Sequence, residues 1–328
     1  MTSAVMAIPE RRSVDLPVPR SQPDYLAAVA RLRGMQPADV AAARVLELGC
    51  RTGRNLIPMA ERYPESVFLG IDDSEDRVAA ARAAAGEQGL TNIEFQRRDL
   101  ASLELPPASF DFLVAEGFYS WIDDAARRQL LKIIRTVMAP QGVAYISYRT
   151  YPGNYIPEML GTMFRYEARN ASDILERVKR GRGMAQFLHN SLVEDTPYNT
   201  LLKAELTPIN EQDDGALARN YLATGARPVY LRQFVSELSQ HRLQFIGDGA
   251  VSIAYTDNLG QVIEDRLSRV AHDPLEREQY RDVLRNRRYR QTLVCHADVE
   301  IDRELSAKHF AGLWLEGRIS PEDPEIKM

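Results

Sequence analysis

The chain has 328 residues, 45% of them hydrophobic and 27% charged, with a net charge of -5; this is ordinary for a globular protein and long enough for two domains. The acidic balance gives no reason to expect nucleic acid or an anionic membrane as partner, and two cysteines, Cys50 and Cys295, are too few for a disulfide framework. No stretch approaches the roughly 18 to 20 apolar residues of a bilayer span, and no long apolar run precedes the early Arg-Arg pair, so the expected location is the cytoplasm.

In chain order, residues 1–24, with Pro9, Pro17 and Pro19, are expected to be extended and are a candidate lid. "PDYLAAVARLRGM" begins an amphipathic helix. Residues 25–154 then alternate. "RVLELG" (44–49), an apolar run closed by glycine, predicts a buried strand, and "NLIPMAERY" a helix that tolerates Pro58 near its first turn. "VFLGID" (67–72) predicts a second strand, and "SEDRVAAARAAAGEQG" a helix capped by Ser74 with acids in its first turn. "IEFQRRD" (93–99) and "FDFLVAEG" (110–117) predict strands three and four. "DDAARRQLLKIIRTVM" predicts a helix with its apolar face at Leu130, Leu131, Ile134 and Met138, and "GVAYISY" (142–148) a fifth strand. Repeated alternation with short links implies an α/β fold, a doubly wound and mostly parallel sheet.

After "YRTYPGNY" the rhythm changes. Residues 155–328 read as a mainly helical, substrate-covering region that contributes late strands to the sheet. Long helical patterns span 156–193 and 213–242, a strand-like run spans 243–256, and "EREQYRDVLRNRRYRQTLVC" is a further helix leading to a strand or loop. The arginines of "RVKRGRG" and "RNRRYR" read as solvated helix faces.

Open α/β sheets bind ligands at the carboxyl ends of their strands, near the point where strand order reverses. Polar residues stand at four such ends: Glu47 with Gly49, Asp72, Asp99 and Glu116. An acid closing the second strand about 20 residues after a glycine turn suits a ribose diol. The dinucleotide pattern G-x-G-x-x-G fails here, since its positions read Gly49, Arg51 and Arg54, and no G-K-[ST] follows to make a P-loop. A turn E-x-G-x-x-x-G with Asp72 and Asp99 suits a nucleoside without pyrophosphate, and S-adenosyl-L-methionine is the expected cofactor. The five histidines have no ligand spacing, so no metal is expected.

At these residues the chain resembles the class I S-adenosylmethionine-dependent methyltransferases that carry a methyltransferase regulatory domain, a group that includes rickettsial protein-lysine methyltransferases. "RVLELGCRTGRNLIPMA" is similar to the family's cofactor turn, "FDFLVAEGFYSWI" to its fourth-strand motif and "GVAYISYRTYPGN" to its fifth. "YLRQFVSELSQHRLQFIGD" and "EREQYRDVLRNRRYRQTLVCH" look like the two signatures of the regulatory region. The resemblance implies that Gly49 and Gly53 approach the methionyl part, that Asp72 takes the ribose, and that Asp99 with Leu100 holds the adenine. The segment 115–119 would pass the sulfonium. The cofactor-binding set is then Glu47, Gly49, Cys50, Arg51, Gly53, Asn55, Asp72, Asp99, Leu100, Ala115 and Glu116. Glu116, Tyr119 and Tyr148 are the catalytic candidates, and Trp121, Arg149 and Tyr151 would line the acceptor side, where aromatic faces attract a sulfonium. Plainer readings stand beside these: Asp72 and Asp99 as loop acids or helix caps, Trp121 as core, Tyr148 and Tyr151 as parts of a structural turn, Cys50 as a small turn residue.

Some positions depart from the family pattern. Arg51 and Arg54 replace small residues, Glu116 stands where histidine is common, and Arg149 replaces an asparagine. Arg51 could fork onto the methionyl carboxylate; Glu116 could act as a general base or hold the cofactor's amino group. The leading expectation is a methyltransferase for a small-molecule acceptor of specialised metabolism, because the chain is shorter than family members that continue further. The alternative is an intramolecular cyclase or lyase that uses S-adenosylmethionine alone and forms azetidine-2-carboxylate and methylthioadenosine. A third is a catalytically silent cofactor-binding module.

Overall fold

The computed structural model describes residues 17–249, 259–304 and 306–313. The expected alternation is present as α1 (Pro23–Arg31), β1 (Arg44–Leu48), α2 (Leu56–Arg62), β2 (Val67–Asp72), α3 (Glu75–Glu87), β3 (Ile93–Arg97), β4 (Phe110–Ala115), α4 (Asp124–Val137) and β5 (Met138–Arg149). Local chemistry sets the boundaries. Ser74 accepts the Arg77 N–H at the start of α3, with Glu75 and Asp76 in the first turn, and Asp123 caps α4 through the Ala126 N–H. β3 stops two residues short of Asp99, and β5 starts four residues before Gly142.

The sheet has seven strands in the order β3-β2-β1-β4-β5-β7-β6, completed by β6 (Leu243–Asp248) and β7 (Tyr289–His296). β7 runs antiparallel to both its neighbours, while β1 to β5 pair in parallel. Strand order turns back between β1 and β4, which fixes where a ligand crevice opens. Side chains alternate between two buried faces, as a covered parallel sheet requires. Val45, Phe112, Val114, Tyr145 and Leu293 pack with α1, α2 and α3. Leu46, Leu113, Ile146, Tyr148 and Val294 pack on the other side, with Leu130, Leu131 and Ile134 of α4 and Phe234.

Between β5 and β6 the chain builds a helical insert: α5 (Tyr155–Glu167), α6 (Ile174–Ser191), α7 (Pro197–Glu211), α8 (Asp214–Leu217) and a π-turn (Ala218–Leu222). It has its own core, centred on Leu160, Phe164, Val178, Leu206 and Leu217. Then α9 (Leu231–Gln240), α10 (Gln261–Val270) and α11 (Pro274–Leu284) lead to β7. The helical pattern expected over 213–242 is broken, because the backbone pairs as a strand at Val229, whose N–H donates to Arg149 O. Helices α7 and α10 were not expected; Pro197 and Pro208 hide the first of them. The strand-like run 243–256 yields β6 only to Asp248, and residues 250–258 lie outside those described, as do 1–16 of the candidate lid. Among the described residues no helix is long and apolar enough to cross a membrane.

β7 carries a charge into the interior. Arg290 is fully buried and meets Asp282 on α11 at 2.8 Å and Asp248 on β6 at 3.4 Å. Arg287 also reaches Asp248, at 2.5 Å. Charges this deep are stable only when paired in this way.

Candidate active site

The turn after β1 is held from inside. Gly49 and Cys50 donate to Ile71 O of β2, and Gly49, Arg51 and Gly53 have φ of +79°, +53° and +75°. A Cβ on Gly49 would lie 2.7 Å from the Phe118 ring, and one on Gly53 2.5 Å from Phe95. Gly53 therefore serves the packing of β3, and it is Gly49 that faces the loop after β4. Asp72 is spent on the same turn: its carboxylate accepts from Arg51 N at 3.0 Å and Ser74 N at 3.0 Å and meets Arg77 Nε at 3.0 Å. Arg51 reaches across towards Gly117, its Nη2 lying 3.6 Å from where a Cβ on that glycine would stand.

One rung of the sheet aligns Glu47, Val114 and Tyr145 on β1, β4 and β5. Alternation points all three to the face covered by α1. Glu47 Oε1 accepts from Asn55 Nδ2 at 3.0 Å, while Glu47 Oε2 is buried with no hydrogen-bond partner among the described residues. Glu116 Oε2 and the Tyr145 hydroxyl are also buried and complete no well-aligned hydrogen bond among the described residues, but they adjoin each other, and Gln291 borders the hydroxyl. Burial pushes the Glu47 carboxyl up to about 8, against the Asn55 hydrogen bond and with help from the Glu116 charge. Burial, and then Glu116, also push the Tyr145 hydroxyl upward, so it stays protonated. Asn55 ties this group to the amino-terminal segment, since its Oδ1 accepts from Val18 N at 3.0 Å and its Nδ2 donates to Ser21 Oγ at 3.0 Å. From β7, Gln291 Oε1 accepts from Arg20 Nη1 at 2.7 Å.

The remaining expected residues divide. Asp99 is exposed and caps the short turn Leu100–Ser102 through Ala101 N at 2.9 Å; Leu100 is half-buried. Ala115 is core, and Cys50 is buried, its thiol pushed up by burial, which leaves it unsuited to be a nucleophile. Arg149 lies over Trp121, 4.9 Å from the ring centroid. The Tyr151 hydroxyl donates to Glu158 at 2.6 Å, and its ring stacks on Tyr155.

Tyr119 and Tyr148 need correction as catalytic candidates. Both rings are buried in the opposite core with Phe234, 5.1 and 4.3 Å away between centroids. The Tyr119 hydroxyl donates to Glu237 and its ring lies under Arg127. Strand parity is the reason: Tyr148 is an odd number of residues from Tyr145 and so leaves by the other face. Tyr145, Phe118 and Gln291 stand at the crevice instead. Only the loop segment containing Phe118 was singled out from the sequence; Tyr145 could have been found from parity, and Gln291 only from strand register.

Two family descriptions match this chain: "Methyltransferase domain" over residues 45–142 and "Predicted methyltransferase regulatory domain" over residues 213–296. The Rickettsia prowazekii protein RP028 is 30% identical over 220 residues, 66% of this chain and 86% of its own length. The chain belongs to the S-adenosylmethionine-dependent methyltransferases that carry this regulatory domain. RP789 of the same organism is 31% identical over 305 residues, 93% of this chain and 55% of that protein. The structure of PKMT2 from Rickettsia typhi in complex with AdoHcy superposes with a TM-score of 0.82 at 27% identity, covering 90% of this chain and 56% of that one. The chain thus spans about half the length of these two relatives. Its crevice fits the cofactor on its own terms, because two buried carboxylates without a counter-charge among the described residues, Glu47 with a free Oε2 and Glu116 beside only the Tyr145 hydroxyl, are what a ligand with a sulfonium and an ammonium group neutralises.

Proposed function

We propose that the protein transfers a methyl group from S-adenosylmethionine to a small-molecule acceptor. The reading is carried by the Glu47 and Glu116 carboxylates, buried without a counter-charge among the described residues where the strand order turns back, with Glu47 Oε2 free of any hydrogen bond to them. In this reading Glu47 and Glu116 hold the cationic end of the cofactor, the turn at Asp72 faces its ribose, and Asp99 with Leu100 borders the adenine. When bound, the cofactor supplies an electrophilic methyl group on its sulfonium. Around it, Phe118 shields the glycine turn from water, and Glu116 Oε2 is the acceptor for a proton lost by the attacking atom. A small acceptor is supported by a cavity of about 190 Å³ where β5 meets the helical insert. The likeness to PKMT2 favours a second reading, a protein lysine as acceptor.

The test is incubation of the purified protein with S-adenosylmethionine, followed by mass spectrometry of the nucleoside released. S-adenosylhomocysteine that forms only with a low-mass extract fraction is the expected outcome. Turnover only with the protein fraction would favour the second reading. Methylthioadenosine released without any acceptor would sink both. Asp72→Ala is expected to weaken cofactor binding about tenfold or more, because it releases the Arg51 and Ser74 N–H groups that hold the turn in shape; unchanged affinity would remove Asp72 from the site.

A further inference from the structure

The cavity at the end of β5 lies between the sheet and the helical insert, lined by Arg149, Asn154, Gln212, Asn220, Arg288 and Tyr289 among others. Its two cations differ. Arg288 is committed to Glu205 on α7. Arg149 is only 7% exposed, yet no carboxylate among the described residues lies within ion-pair distance of it. Its Nη2 donates to Asn220 Oδ1 at 3.0 Å and its Nη1 to Asn220 O at 3.4 Å, both neutral acceptors that leave donors of the fork unused. The guanidinium lies 4.9 and 5.9 Å from the ring centroids of Trp121 and Tyr289, which restricts it sideways.

A second orphan lines the same cavity. Gln212 Nε2 is buried and has no hydrogen-bond partner. Burying a cation without a counter-charge and an amide without an acceptor is costly, and both costs vanish if one anion reaches the two donors. The position suits the reaction. Arg149 follows Ser147 by two residues on the same face of β5, and Ser147 Oγ accepts from Gly117 N at 2.6 Å, next to Glu116. Two residues of strand are about 7 Å, the reach of a short carbon chain.

We propose that this cavity receives a carboxylate of the acceptor, forked by Arg149 and bonded by the Gln212 amide, so that the acceptor is an acid whose reacting atom lies a few bonds from its carboxylate. The assignment of an acceptor rests on the methyl-transfer reading; the anion site itself does not. Planarity favours carboxylate, since Arg149 offers one edge between two rings.

The test uses the full-length protein and titrates succinate and its neutral isostere succinamide by calorimetry, with S-adenosylhomocysteine titrated separately. Succinate is expected to bind at least tenfold more tightly than succinamide, and Arg149→Gln to abolish that difference while S-adenosylhomocysteine affinity stays within about twofold. Equal binding of the two isosteres by the wild type overturns the proposal, and this comparison stands even if the variant does not fold. Inorganic phosphate binding more tightly than succinate overturns the carboxylate assignment. Loss of S-adenosylhomocysteine binding alone sinks the methyl-transfer reading and leaves the anion site as measured.

Discussion

Glu47 carries the sharpest expectation at the residue scale. Its carboxyl is raised from an ordinary 4.5 to about 8, chiefly by burial. Between those values the folded protein holds a proton that the unfolded chain has lost. The contribution to stability is therefore complete below about pH 4.5 and disappears as the pH rises through about 8. A cationic ligand reverses the preference of this group, so cofactor binding should expel a proton, and affinity should rise with pH until about 8. Calorimetry in two buffers of different ionisation enthalpy counts that proton. Glu47→Gln should abolish the release and flatten the profile; an unchanged profile in that variant would assign the proton elsewhere. Glu47, Gly49 and Asp72 were legible because an acid-glycine turn and a strand-closing acid are local patterns. Tyr145 was missed in favour of Tyr148 because a one-residue change of parity selects the opposite face, and the spacing of aromatic residues does not say which face holds the ligand.

At the scale of elements, the site depends on how the turn after β5 meets the turn before β7. Asn154 Nδ2 donates to Thr150 O at 2.8 Å and Arg288 O at 2.6 Å, and Gly153 N donates to Arg287 O at 3.0 Å. A Cβ on Gly153 would lie 2.3 Å from Arg287 O and 2.4 Å from Asn286 O, backbone atoms that cannot swing aside. Gly153→Ala should therefore cost about 1 to 3 kcal/mol by overpacking, read as a lower urea midpoint at unchanged slope. An unmoved midpoint would mean that the two turns are free to separate. The strands of the first half were readable from their apolar runs and caps. The strand pairing at Val229 was not, since its partner Thr150 lies across the fold; only Gly225 and Pro228 mark locally that the helix stops there.

At the scale of the molecule, the region matched as regulatory is structurally part of the catalytic sheet. Residues 213–296 contain β6 and β7, and β7 pairs with β5 from Ala144 to Arg149 while bringing Gln291 to the crevice. A chain cut after Gln212 keeps the whole stretch 45–142 but leaves β5 as a bare edge, without Leu231, Phe234, Leu238 and Val294 to cover it. Such a fragment should be insoluble or lack cooperative thermal unfolding by circular dichroism. A soluble fragment that unfolds cooperatively and binds S-adenosylhomocysteine would show that the late strands are dispensable. The doubly wound class was readable from the first 150 residues. Late strands were expected from residues 155–328, but the antiparallel sense of β7 was not readable, because its pairing with β5 and the contact of Arg290 with Asp248 join residues distant in sequence.

Asn55 spans the gap between the crevice and the amino-terminal segment, with one end of its amide on Glu47 and the other on the Val18 N–H. A change of charge on Glu47 must therefore alter the field along that amide and the hydrogen bond that Val18 donates. The Val18 backbone resonance in an isotope-labelled sample is thus a spectroscopic reporter built into the chain. Its shift would register occupancy of the crevice, with no acceptor identified and no product formed.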